Sequence, residues 1–140
     1  MFKQGGRPAA GDGMGSLRAL IVEDEFLVAM LIEDIFAEMG IAVAAICADL
    51  EGGLAAAEAG DFDFALLDIN LGGTTSLPIA ARLVELRLPF LFASGYGVAG
   101  VGDFSHGAPV LQKPFEAQAL RQGILAILSD AKRALLDLPA

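Results

Sequence analysis

The chain has little thiol and little imidazole: one cysteine, Cys47, and one histidine, His106. A lone cysteine cannot close an internal disulfide, so nothing points to an oxidising compartment. Set in the apolar run IAVAAICA, Cys47 reads as a small buried residue. One histidine without thiol partners makes no Cys/His metal site, and His106 reads as a solvated loop residue. Positive charge is also scarce. Nine Lys and Arg stand against eighteen Asp and Glu, a net charge of −9. That excludes the clustered cationic face that nucleic-acid binding needs. No stretch reaches the ~20 uninterrupted apolar residues of a membrane span. The N-terminus lacks the apolar segment of a secretory signal. The expectation is a soluble cytoplasmic protein with no nucleic-acid and no membrane partner.

What is present is apolar patterning. The chain has 140 residues, 55% of them hydrophobic, which fits one domain with one real core. Residues 1–16 hold five glycines and no apolar periodicity, so they are predicted to be a flexible tail ahead of a domain at 17–138. LRALIV (17–22) reads as a buried strand that stops at Glu23-Asp24-Glu25. Val28, Leu31, Ile32, Ile35 and Met39 then share one helix face, with Gly40 as the C-terminal stop. IAVAAIC (41–47) is a second strand. Asp49 is expected to N-cap a helix that runs through Ala59 and closes at Gly60. FDFALLD (62–68) is a third strand, and 75–87 a helix spaced by Leu77, Ala81 and Val84. LPFLFAS (88–94) and APVLQ (108–112) are strands, with Phe90 and Phe92 in the core. Residues 116–136 read as one last helix with Leu120, Ile124, Leu128 and Leu135 on one face. The segment 95–107 holds five glycines, so a short or mobile element is expected where alternation calls for a helix. Alternation of this kind gives a doubly wound parallel sheet with helices on both faces.

In such a sheet, ligands bind beyond the carboxyl ends of the strands. Those ends carry Glu23, Asp24, Asp68, Ser94 and Lys113. Three carboxylates repel one another and need a cation. Lys113 supplies one. An all-oxygen cluster with open positions also suits Mg²⁺. A carboxylate beside Mg²⁺ can act as a nucleophile toward phosphorus, because the metal offsets the repulsion between two anions. The chemistry indicated is phosphoryl transfer, with Asp68, Lys113 and Ser94 as reacting or stabilising groups.

IVEDE at 21–25, LLDIN at 66–70, Ser94 and QKPF at 112–115 together resemble the response-regulator receiver family over about residues 17–136. The resemblance implies a flavodoxin-like five-stranded parallel sheet of order 2-1-3-4-5. It implies that Asp68 takes a phosphoryl group from a histidine kinase or histidine phosphotransfer protein. It implies Mg²⁺ held by Glu23, Asp24, Asp68 and the Asn70 carbonyl, with Lys113 and Ser94 on the phosphoryl oxygens. The Lys-Pro bond of this signature is cis in many members. FASGYG at 92–97 resembles the FATGUY class of single-domain receivers. That class lacks the aromatic switch residue three positions before the lysine, where Val110 stands here. The expectation is that the 95–107 loop carries the signal to a downstream protein, with Tyr96 and Val110 at the switch surface. The chain could equally serve as a phosphate shuttle or sink. Two rivals are a phosphorylation-independent binding module and a Mg²⁺-dependent phosphohydrolase. The second needs another acid two residues after the nucleophile, where this chain has Asn70.

Overall fold

A computed structural model describes residues 16–96 and 105–136. Nearly all of the expected tail, and most of the glycine-rich 95–107 segment, lie outside the described residues. Five parallel strands stand in the order β2-β1-β3-β4-β5: β1 Leu17–Val22, β2 Ile41–Cys47, β3 Phe64–Asp68, β4 Phe90–Ser94 and β5 Val110–Gln112. The helices that the described residues form are α1 Phe26–Glu38, α2 Leu50–Ala59, α3 Leu77–Leu86, α4 Ala117–Ile127 and α5 Asp130–Leu136.

The sequence explains why β3 and β4 sit at the centre. FALLD and FLFAS are unbroken apolar runs up to their last residue, and every residue in both is buried. Strands covered on both faces need that pattern rather than alternation. One face of the sheet packs Leu17, Ile21, Phe64 and Leu91 against Ile32 and Phe36 of α1, Leu120 and Ile124 of α4, and Leu136 of α5. The other packs Leu20, Leu67 and Phe92 against Ala57 of α2 and Ile79 and Leu83 of α3. An edge-to-face ring pair, Phe36–Phe64, ties α1 to the sheet, and a second, Phe90–Phe92, packs along one face of β4. Asp49 caps α2, its Oδ1 accepting the Gly52 N–H at 2.7 Å, and Gly60 ends that helix at φ +64°.

Several boundaries and faces differ from expectation. Strands β3, β4 and β5 begin later than 62, 88 and 108. The third helix starts at Leu77 and ends at Leu86, rather than spanning 75–87. Its buried face is Ile79, Ala80 and Leu83, while Ala81 and Val84 face outward. Pro78 in the first turn and Ile79 two residues into the helix shift the core stripe away from the predicted spacing. The last helix is two helices. Leu128 stays buried but is extended, at φ −87° and ψ 151°. Ser129 restarts the chain: its Oγ accepts the Lys132 N–H at 3.4 Å and its carbonyl accepts the Arg133 N–H at 2.8 Å. Ser-Asp is a start signal that the seven-residue step from Leu128 to Leu135 conceals.

Several cations on the helix surfaces have partners. Arg82 bonds Glu58 and Glu85, tying α3 to α2. Lys132 reaches Asp63 at 2.9 Å, and Arg121 donates to the Leu136 carbonyl at 3.3 Å. Arg133 pairs loosely with Asp130 at 3.7 Å. No helix among the described residues is long and apolar enough to cross a membrane.

Candidate functional site

Parallel strands deliver their last residues to one rim. Glu23 follows β1, Asp68 ends β3, Ser94 ends β4, and Lys113 follows β5. The register makes them neighbours: Asp68 pairs with Ala93, Ser94 pairs with Gln112, and the Lys113 N–H donates to the Ser94 carbonyl at 2.9 Å. Glu23 is anchored in the same way, its N–H donating to the Cys47 carbonyl at 2.9 Å. The Lys113–Pro114 peptide is cis.

Lys113 is the hub. Its Nζ donates to Glu23 Oε1 at 2.9 Å and to Asp68 Oδ1 at 3.1 Å. Glu23 and Asp68 are buried, at 2% and 7% exposure, whereas Asp24 is open to solvent. A carboxylate oxygen from each of Glu23, Asp24 and Asp68 lies within 4.8 Å of the others. This set of hard oxygen donors, one of them open to water, fits a divalent cation that keeps part of its hydration. Gly72, in the loop after β3 and beside Asp24, sits at φ +60°, a left-handed conformation that favours glycine.

The electrostatics follow from burial. Burial pushes the Asp68 carboxyl up, and the hydrogen bond from Lys113 offsets only part of that. Glu23 is pushed up from 4.5 to about 7, chiefly by burial. The bonds from Lys113 and the Glu25 N–H pull it down, and neighbouring Asp68 pushes it up further. For Lys113, burial pulls the ammonium down, but the bonds to Glu23 and Asp68 outweigh it and hold the group above its usual value.

Glu23 therefore carries a higher pKa folded than unfolded. Its contribution to stability is fully present below about 4.5 and is lost as pH rises through about 7. A divalent cation competes with that proton. The rise in melting temperature on adding Mg²⁺ is therefore expected to be larger at about pH 8 than at about pH 6. Equal rises at both would contradict the assignment of Glu23 to the cation site.

The other expected residues lie in different settings. The Ser94 side chain is buried, and its Oγ accepts the Tyr96 N–H at 3.0 Å, leaving the hydroxyl proton to donate elsewhere. Asn70 is exposed, and a bridge to Thr75 holds the loop behind it. The Tyr96 ring is exposed. Val110 pairs with Phe92 and is half-buried against the α2–α3 face. His106 is exposed, at φ +57°. Cys47 is only half-buried.

Two features escaped the sequence reading. One is the direct bond between Glu23 and Lys113, a contact across 90 positions of chain. The longer glutamate arm at a position read only as a metal ligand was its signal. The other is on α1. Leu31, read on one helix face with Ile32 and Ile35, is 60% exposed, and Phe26, Leu27 and Met30 are exposed with it. The signal was present in FLVAMLI, which is apolar all round, whereas a surface helix needs only one apolar stripe.

Comparison with known proteins agrees with this fold. The family model described as "Response regulator receiver domain" matches residues 19–125. No curated protein matches the chain. Among solved structures, SdrG from Sphingomonas melonis Fr1 is 34% identical, covering 89% of this chain and 98% of its own, with a TM-score of 0.70. SdrG in its BeF3-activated conformation, from Pseudomonas melonis Fr1, is 37% identical, covering 81% and 98%, with a TM-score of 0.67. The receiver domain of the response regulator PhyR from Erythrobacter litoralis is 25% identical, covering 91% and 98%, with a TM-score of 0.71.

Proposed function

The chain belongs to the response-regulator receiver family of two-component signalling, and on that footing we propose that Asp68 is its phosphoryl acceptor. Receiver domains are signalling domains, generally not turnover enzymes, that bind Mg²⁺ at an acidic pocket and interact with kinases or phosphotransfer proteins. The observation that carries the proposal is the Lys113 ammonium bonded at once to Asp68 and Glu23 on the strand-end rim.

The donor would be phosphohistidine on a histidine kinase or histidine phosphotransfer protein. The Asp68 carboxylate attacks phosphorus in line. The P–N bond breaks as the P–O bond forms, and the leaving imidazole nitrogen keeps the electron pair. Glu23, Asp24, Asp68 and the Asn70 carbonyl would hold Mg²⁺. When bound, that ion offsets the charge of three carboxylates and an incoming phosphoryl group. Lys113 exchanges its bond to Asp68 for one to a phosphoryl oxygen, and the Ser94 hydroxyl donates to another.

FASGYG at 92–97 and Val110 in place of an aromatic ring support placement in the FATGUY-like group of single-domain receivers. The output would then be read by a partner protein at Tyr96 and the strand β5 edge around Val110, biased by the added charge of about −1.5 to −2. A shuttle or sink role in a phosphorelay uses the same acceptor. The half-buried Val110 and exposed Tyr96 fit that surface.

The relative in a BeF3-activated conformation supplies the experiment. Adding BeF3 with Mg²⁺ is expected to shift the amide resonances of Asp68, Ser94 and Lys113, and to leave those of α5 unmoved. An unchanged spectrum would instead favour a phosphorylation-independent binding module.

A further inference from the structure

The end of the sheet away from the acid rim carries a recess of about 460 Å³, where α3 stops, β4 starts and α4 gives way to α5. Leu83, Leu88, Phe90 and Leu128 wall it, with Val84 among them. Val84 is 45% exposed, so apolar surface is left uncovered here. Two cations line the recess, Arg87 and Lys132, and no Asp or Glu does. That runs against the balance of a chain whose net charge is −9. Lys132 is already bonded to Asp63 at 2.9 Å. Arg87 is exposed, and its guanidinium has no hydrogen-bond or ion-pair partner among the described residues. Its backbone is the C-cap of α3 in the left-handed region, at φ +61° and ψ 37°. Glycine is the ordinary tenant of such a position, because an L side chain there is strained, and Gly60 fills the matching place at the end of α2. A strained residue that holds a free charge beside an apolar recess points to a ligand.

We propose that this recess binds a small amphiphilic carboxylate of the medium-chain fatty acid class, its chain on the apolar wall and its carboxylate on Arg87. Such a site is independent of Asp68 and of phosphoryl acceptance. Three observations select this occupant. The volume falls in the ~300–1,000 Å³ range of small-molecule sites, and the lining, mostly apolar with a few charged groups, has their character. Of the large apolar side chains exposed among the described residues, Val84 alone lines the recess. A protein partner needs about 800 Å² of surface on this side, and the recess has no apolar ground around it to supply that. The free charge is a guanidinium, whose planar fork pairs with a carboxylate through two parallel bonds. A second copy of this chain seated recess to recess would instead set Arg87 against its own kind.

The test titrates wild type and Arg87→Gly with decanoate and with 1-decanol, each below the concentration at which it self-associates, and follows the backbone amide resonances. Arg87→Gly removes the guanidinium and suits the left-handed backbone, so the variant is expected to melt no lower than wild type. In wild type, decanoate is expected to shift the amides of Val84, Arg87, Leu88 and Leu128 saturably, and to bind about tenfold more tightly than decanol. In Arg87→Gly the two probes should bind alike, at the affinity of decanol. Decanol binding wild type as tightly as decanoate overturns the proposal. So does a preference for decanoate that survives in Arg87→Gly. So do shifts confined to Phe26, Leu27, Met30 and Leu31, which would mean that the probe only finds exposed apolar surface. A clearly lower melting temperature for Arg87→Gly would show that the fold itself holds Arg87 there, and would also overturn it.

Discussion

Lys113→Met is expected to slow phosphoryl acceptance from acetyl phosphate by about 10²–10³-fold while leaving Mg²⁺ binding as tight as in wild type or tighter. The two effects have opposite signs because Lys113 does two things. In the resting protein it is the cation for two buried carboxyls, bonded to Glu23 at 2.9 Å and to Asp68 at 3.1 Å. A divalent ion drawn to the same oxygens competes with it, so its removal favours the metal. In the proposed transfer, negative charge would gather on the phosphoryl oxygens, and the Lys113 ammonium would be the stabilising group that Met lacks. Removing the Lys113 bond also takes away a force that lowers the Glu23 carboxyl, so in the metal-free variant Glu23 should titrate at higher pH than in wild type. The measurements are labelling rate by intact mass and Mg²⁺ affinity by calorimetry. A labelling rate within about threefold of wild type would remove Lys113 from the chemistry.

The candidate site was legible because the fold collects it. Once the alternation of strands and helices is read, the carboxyl ends of parallel strands must share a rim. Glu23, Asp68, Ser94 and Lys113 each stand at such an end, and Asp24 beside Glu23. Their convergence needed no side-chain detail. The sheet order 2-1-3-4-5 follows from the same alternation together with the family resemblance. Less legible was anything decided by side-chain reach. Glu23 was readable as an acid at a metal position, but its bond to Lys113 depends on one extra methylene and on burial. The break at Leu128–Ser129 was hidden because Leu128 keeps its place in the core while its backbone turns extended. Outward-facing Leu31 and Val84 were misplaced for a different reason. Apolar periodicity shows which side chains could be buried, not which ones the sheet has room to cover. On α1 the apolar surface exceeds what the sheet takes, and the excess is the stripe at Phe26, Leu27, Met30 and Leu31.

Burial raises the carboxyls of both Asp68 and Glu23. Lys113 opposes this in each, and the open position of Asp24 leaves one carboxylate hydrated beside them. The three carboxylates gather negative charge that a divalent cation would offset. Helix α1, with its acids flanking an apolar stripe, extends that negative face away from the rim.

The central claim is that the Asp68 carboxylate is the group that takes phosphorus. Asp68→Asn keeps the shape of the side chain and removes the nucleophilic oxygen anion. It also removes one negative charge from a crowded set, while Lys113 keeps Glu23 as a partner, so the variant should fold at least as stably as wild type. Intact mass after incubation with acetyl phosphate and Mg²⁺ reads the result directly. Wild type is expected to gain about 80 Da as an adduct that base removes, and Asp68→Asn to gain nothing. The same adduct on both proteins would put the phosphoryl group on another residue and contradict the account.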